Sequence, residues 1–267
     1  MANPYYFLED TFWWSPGLIG LFMVTIFIIV FLRYLLLASA YQWWTKKFRQ
    51  EKKYVLDNRQ FLREVKWSLI SSAIFALLSI VTFYFYQKGY TEVYSDFNRF
   101  GTGYFLFSIA WYLVLYETYY YWLHRWMHRP GIFRKIHKVH HESIHTSAFT
   151  SFSFHPSEAI LQFIFLPLMI ILFPIHYYAL GIILLLMTIS AIVNHAGKEI
   201  YPGNFHKHRL GKWLIGSTHH DLHHTEFSSN YGLYFTFWDK WMRTESKKYR
   251  EKFETNTLKN LKQKAKS

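Results

Sequence analysis

Imidazole is concentrated in three short segments of this chain, and within each the spacing is that of one helical face. HRWMH places His124 and His128 at i, i+4, and HKVHH places His137, His140 and His141 at i, i+3, i+4. THHDLHH repeats the second pattern with His220, His223 and His224, and adds His219 one turn before His223. Helical residues three and four apart have Cβ atoms about 5–6 Å from each other, the reach two imidazoles need to hold one ion. Eight imidazoles so spaced, with His195 in NHAG as a further candidate, exceed the coordination shell of a single ion and predict two metals.

The chain has no cysteine, which excludes disulfides, iron–sulfur clusters and thiolate catalysis and leaves nitrogen and oxygen donors for any metal. Imidazole suits zinc, copper, iron and nickel. Structural zinc needs only four ligands, and copper transport usually recruits methionine or cysteine, of which there are six and none. Neutral ligands leave divalent charge uncompensated, so carboxylates are expected to orient the rings. Glu117 is the leading candidate: it lies seven residues before His124, two turns away on the same face, inside an otherwise apolar stretch. Glu142, Glu158, Asp221 and Asp239 read as caps or as partners of Arg and Lys.

The elements that must position these residues are membrane helices. Leu18 to Leu32 carries no charge, and the apolar run resumes after Arg33 as far as Ala40, long enough to cross about 30 Å of hydrocarbon. Trp67 to Tyr86 is a second uncharged stretch, and a third begins at Gly101 and runs through ETYYYWL into His124. From Ala159 to His195 there is no Asp, Glu, Lys or Arg; Pro167, Pro174 and His176 interrupt a region too long for one crossing, which reads as two helices turning near FPIHYY. The expected fold is therefore all-α, a membrane bundle of about four spans with a histidine-rich helical cap. Residues 1–100 would form the N-terminal spans and a basic loop, 101–245 the domain that carries the histidine segments, and 246–267 a basic tail.

The net charge of +13 accompanies 51% hydrophobic and 22% aromatic residues, and the aromatics lie inside apolar runs where bases could not stack on them, which argues against nucleic acid. Topology explains the charge instead. The loop after the first span carries Lys46, Lys47, Arg49, Lys52, Lys53, Arg59, Arg63 and Lys66 against Glu51, Asp57 and Glu64, so it is expected to be cytoplasmic. The loop after the second span has only Lys88 and Arg99, balanced by Glu92 and Asp96, whereas the segment from His124 is strongly basic again. The N-terminus is then outside, and the histidine cap and C-terminus are cytoplasmic. Glu9 and Asp10, with no Lys or Arg before the first span, are wrong for a cleaved signal, so this segment is expected in the mature chain. A metal transporter would place ionisable residues along a path at mid-membrane; here they gather at one edge.

The order HxxxH, HxxHH, HxxHH resembles the histidine-box membrane oxygenases of the sterol desaturase and fatty acid hydroxylase superfamily. YYWLHRWMH resembles the aromatic lead into that family's first box, and SFHP at Ser153 to Pro156 the segment that follows its second. GSTHHDLHHTEFSSNYGLYFTFWDKWMRT is most similar to the sterol C-5 desaturase branch, and the likeness covers about Tyr104 to Thr244. It implies a di-iron centre held by His124, His128, His137, His140, His141, His220, His223 and His224, with His195 and His219 as further ligands and His145 and His155 as residues around the site. It also implies dioxygen, a lipid drawn from the bilayer, and an external electron donor, cytochrome b5-like or ferredoxin-like, with its reductase. A sterol or sterol-like substrate fits best, with a fatty acyl chain or carotenoid second; desaturation and hydroxylation both remain open. The endoplasmic reticulum is implied for a eukaryotic host and the inner membrane for a bacterial one.

Overall fold

The computed structural model describes residues 15–48 and 57–264. Glu9, Asp10, Arg49, Lys52 and Lys53, on which part of the charge argument rests, lie outside the described residues. The structure is mostly helical. Two long helices open it, α1 (Pro16–Phe48), with proline at its start where no N–H is needed, and α2 (Asn58–Gln87). A two-residue strand β1 (Val93–Tyr94) leads to α3 (Gly101–Met127), which carries HRWMH at its C-terminal end. The second histidine segment lies on short turns, α4 (Ile132–Ile136) and α5 (Lys138–His141).

A 3-10 segment over Ala148–Phe152 follows, then α6 (Pro156–Phe163) and α7 (Phe165–Leu172), strand β2 (Ile175–His176) and α8 (Tyr177–His195). His155 caps α6 by accepting the Ser157 N–H, and His176 caps α8 by accepting the Tyr178 N–H. The last histidine segment forms α9 (Ser217–Glu226), and α10 (Phe237–Trp241) and α11 (Tyr249–Lys264) close the chain.

Among the described residues, three helices are long and apolar enough to cross a membrane, Pro16–Thr45, Asn58–Gln87 and Tyr177–His195, where the sequence suggests about four spans. The third expected span is a continuous helix, but its length is spent on tyrosines, tryptophans and the ionisable Glu117 and His124. The first limb of the expected hairpin is the pair α6 and α7, an apolar stretch of Pro156–Leu172. Pro167 withholds a backbone donor there, and the helix breaks at Ile164. Leu21, Leu36, Leu62, Leu77, Leu106 and Tyr178 are among the large side chains turned outward, an apolar surface that suits lipid.

Polar groups face inward. α2 buries Glu64 and, beyond it, the small Ser68, Ser71, Ser72 and Ala76, which admit the Ala148–Phe152 segment, and Ser71 donates to the Phe154 carbonyl. Glu64 accepts hydrogen bonds from Gln60, Ser143, Ser147 and Thr150 at 2.6–2.8 Å, and so ties α2 to the loop that follows the second histidine segment. α3 runs antiparallel to α6 and α7, joined by phenol donors: Tyr119 to Leu161 O, Tyr112 to Met169 O and Phe173 O, and Tyr104 to Pro174 O. β1 and β2 pair in parallel, Val93 with Ile175 and Tyr94 with His176. The loop after α2 and the turn before α8 therefore meet at the end of the bundle opposite His195.

Candidate metal centre

The histidines come together in two groups. His124, His128, His137, His141 and His223 form one, His140, His195, His220 and His224 the other, and within each the ligand atoms lie within 4.8 Å of one another. The division cuts across the sequence segments. His140 and His141 are adjacent, so they point about 100° apart on α5 and serve different groups. On α9, His220 and His224 share a face while His223 turns to the first group.

The tautomers follow from the outer hydrogen bonds. In five of the nine rings the Nδ1–H donates outward: His124 to Tyr231 O at 2.8 Å, His137 to Glu158 Oε1 at 2.8 Å, His140 to Ser153 O at 3.3 Å, His195 to Ala191 O at 2.7 Å and His223 to Ser229 O at 2.8 Å. A neutral imidazole has one N–H, so the Nε2 of each of these rings presents a lone pair inward. Yet the Nε2 atoms of His124 and His137 are 3.0 Å apart, and those of His140 and His195 are 3.1 Å apart. Lone pair against lone pair at that distance is repulsive unless a cation lies between them. The donor set thus fits metal, with His220 Nε2 at 2.9 Å from His195 Nε2 adding to the second group.

Electrostatics favour the same state. Burial, reinforced by neighbouring imidazoles, holds His137, His140, His141, His220 and His224 well below the usual imidazole range and brings His223 to about 4. They stay neutral at physiological pH, the form that binds metal.

The structure keeps His219 out of both groups. Adjacent to His220, it is rotated away from it; its ring meets Tyr249 edge-on at 5.2 Å and its Nε2 lies 3.9 Å from Asp239. Burial lowers it to about 3. His145 and His155 also lie outside the groups. Glu117 is fully buried but touches no imidazole: its carboxylate accepts the N–H groups of Leu233, Tyr234 and Phe235 at 2.6–3.3 Å. Being two turns from His124, it sits about 10 Å down the axis and reaches the histidines only through the loop whose Tyr231 carbonyl holds His124. Asp239 grips that loop from the other side, accepting the N–H groups of Tyr231 and Gly232 at 2.9 Å, and burial pushes it up to about 6. Gly232 has no alternative residue here, since a Cβ would stand 2.7 Å from Phe235 O and 2.9 Å from Glu117 Oε1.

The carboxylate that does touch a ring is Glu158, read from sequence as a cap or a cation partner. It sits in the first turn of α6, buried against His137 and Gln162. No local signal marks it, because its partner is 21 residues away. Glu199 is a further buried carboxylate that no sequence pattern marks; it accepts the Thr218 N–H at 3.0 Å at the start of α9 and packs so closely on Gly216 that a Cβ there would meet both carboxylate oxygens at 2.9 Å. Asp221 and Glu142 do pair with cations, Lys252 at 2.6 Å and Arg63 at 3.8 Å.

Below the second group lies a cavity of about 280 Å³, walled by side chains such as Val30, Phe75, Tyr120, Met187 and Leu233, with His195 at its histidine end.

The fatty acid hydroxylase model matches residues 109–244, which span all the grouped histidines. The chain belongs to the fatty acid hydroxylase family. Within it, similarity runs to sterol desaturases. Human lathosterol oxidase is 32% identical over 187 residues, 68% of this chain and 60% of that protein. The Delta(7)-sterol 5(6)-desaturase of Candida albicans is 30% identical over 216 residues, 80% of this chain and 52% of that one. The corresponding Schizosaccharomyces pombe protein is 30% identical over 223 residues, 83% and 71% of the two chains. The chain thus spans about three fifths of the human relative's length. No solved structure matches.

Proposed function

We propose that this chain is a membrane-bound, dioxygen-dependent di-iron oxidoreductase that desaturates or hydroxylates a lipid. One observation carries the reading: two buried groups of neutral imidazoles, with inward lone pairs, stand at the end of an apolar cavity, and His195 belongs both to the second group and to the cavity wall. Relatives named lathosterol oxidase and Delta(7)-sterol 5(6)-desaturase favour a sterol or sterol-like substrate, with a fatty acyl chain or carotenoid second.

Five histidines, His124, His128, His137, His141 and His223, would hold one iron, and His140, His195, His220 and His224 the other. Bound there, the metals supply the oxidising power needed to remove hydrogen from an unactivated C–H bond. The chain does the rest. Tyr231, Ser153, Ala191 and Ser229 carbonyls and the Glu158 carboxylate aim the rings, while Phe152, Phe154, Tyr120 and Leu233 keep water from the reacting carbon. Hydroxylation places one oxygen atom on the substrate and releases one water; desaturation removes two hydrogens and releases two waters. Either consumes two electrons and two protons, delivered by a cytochrome b5-like or ferredoxin-like donor with its reductase at the histidine face.

The topology belongs to the same proposal: N-terminus outside, histidine cap and C-terminus cytoplasmic, in the endoplasmic reticulum or a bacterial inner membrane. The β1–β2 pairing supports it by gathering the two outer turns at one end. Residues 101–245 act as the catalytic domain, between the N-terminal spans (1–100) and the basic tail (246–267).

The test is mass-spectrometric lipid profiling of a host expressing wild type beside His140→Ala, with iron assayed on both purified proteins. A lipid lighter by two hydrogens, absent with the variant and accompanied by about two irons per wild-type chain, establishes a desaturase. A product heavier by one oxygen establishes a hydroxylase. Wild-type protein without iron, or with zinc in its place, refutes the reading.

A further inference from the structure

Arg33 interrupts an otherwise apolar spanning helix, and neither the metal centre nor the packing of the bundle uses it. Ile26, Ile29, Val30 and Arg33 fall at i, i+3, i+4, i+7, a single stripe of α1, and all four line the cavity. Arg33 is the one charged side chain among the described lining residues. Its Nε is buried without a hydrogen-bond partner. No acidic residue is among the described lining residues, and the buried glutamates of the bundle have other partners: Glu64 the hydroxyls of Ser143, Ser147 and Thr150, Glu117 the Leu233–Phe235 N–H groups, and Glu158 His137.

A guanidinium is always charged, donates five hydrogen bonds and accepts none. Left unpaired inside a membrane span it is costly, and such residues mark ligand pathways. The polar side chains of the wall serve other partners, Ser79 donating to Phe75 O, Ser151 to Ala148 O, Thr188 to Leu184 O and Gln162 to Glu158, and none hydrogen-bonds the guanidinium, which leaves the acceptor to come with the ligand. We propose that Arg33 is a specificity-determining residue that binds the oxygen-bearing end of the lipid substrate, a hydroxyl or a carboxylate. The assignment rests on the reading that the cavity takes a lipid, and adds which part of it is recognised and by what.

The position also orients the ligand. Tyr34, the next residue, packs in one cluster with Ile192, which lies about one turn below His195 in α8. The oxygenated end is therefore held at the histidine end of the cavity, and the apolar body runs down past Ile26 and Leu184.

Binding to the full-length, detergent-solubilised protein tests this without requiring turnover. The probes are two pairs, cholestanol with cholestane and palmitate with hexadecane, measured on wild type, Arg33→Met and Arg33→Lys. The expected result is that wild type prefers the oxygenated member of one pair by about tenfold or more, the range of a hydrogen bond to a charged group. Arg33→Met should lose that preference while binding the oxygen-free member as wild type does, which also shows that it is folded. Arg33→Lys should keep part of the preference. The pair that responds identifies the source: cholestanol a hydroxyl, palmitate a carboxylate. If Arg33→Met keeps the wild-type preference, the assignment is overturned while the lipid reading stands. If no probe binds saturably to wild type, the lipid reading fails, and the assignment with it.

Discussion

Glu158→Gln separates the two histidine groups, because Glu158 contacts a ring of only one. In the wild type its Oε1 accepts the His137 Nδ1–H at 2.8 Å in full burial. A hydrogen bond to a charged group contributes about 1.5–3 kcal/mol and a neutral one about half of that. Exchanging carboxylate for amide therefore removes about 1–1.5 kcal/mol of support for His137, or roughly a tenfold loss of metal affinity, within the range seen when groups behind a ligating histidine are changed. The second group draws its outer hydrogen bonds from Ser153 and Ala191 carbonyls and should be untouched. Titration of purified, iron-loaded protein with a chelator, followed by elemental analysis, should show one of the two irons released at about tenfold lower chelator concentration and the other released as in wild type. Asp221→Asn, which alters only a pairing with Lys252, should release both as wild type does. If Glu158→Gln releases neither iron earlier, or both together, then Glu158 does not orient His137 or the two groups do not bind independently.

Three further outcomes follow from the same geometry. Gly232→Ala drives a Cβ to 2.7 Å from Phe235 O and 2.8 Å from Ile215 Cδ1, and should cost about 1–3 kcal/mol, read as a lowered melting temperature with loss of iron from the group that includes His124. Glu64→Ala leaves the hydroxyls of Ser143, Ser147 and Thr150 without their acceptor in a buried site, which should destabilise by about 3 kcal/mol and speed proteolysis of the 142–152 segment. The metal-free protein should weaken in acid: the folded pKa values of His137, His140, His141, His220 and His224 lie well below the usual value, and His223 is at about 4. The unfolded chain then takes up protons first as pH falls below about 6.5, so stability is full above that pH and declines toward the folded values, each group contributing a slope of up to about 1.4 kcal/mol per pH unit. A melting temperature constant from pH 7.5 down to about 5 would mean that these rings are not held neutral.

Much of the centre was legible because its information is local. Imidazoles at i, i+3 and i+4 lie within a turn of one another whatever surrounds them, so HRWMH, HKVHH and THHDLHH stood out as candidate ligand segments, and long uncharged runs announced α1, α2 and α8. The count of spans was less legible. α3 is as continuous a helix as its neighbours, but its tyrosines spend their hydroxyls on carbonyls of α6 and α7, a role that apolar length alone does not express.

What spacing left undecided was decided by contacts between distant segments. Local rules bring His219 within one turn of His223, yet the packing of α11 turns it toward Tyr249. They place Glu117 on the face of His124, yet the loop after α9 captures its carboxylate. They mark Glu158 as an ordinary first-turn acid, yet the approach of α6 sets it against His137. Helical periodicity fixes direction over a turn or two, and a carboxylate's partner depends on which element arrives opposite. The residue types and spacings determined that this chain would gather imidazoles able to hold metal beside long apolar helices; only the tertiary structure decided which imidazoles join, which carboxylate supports them, and that Arg33 faces the cavity below.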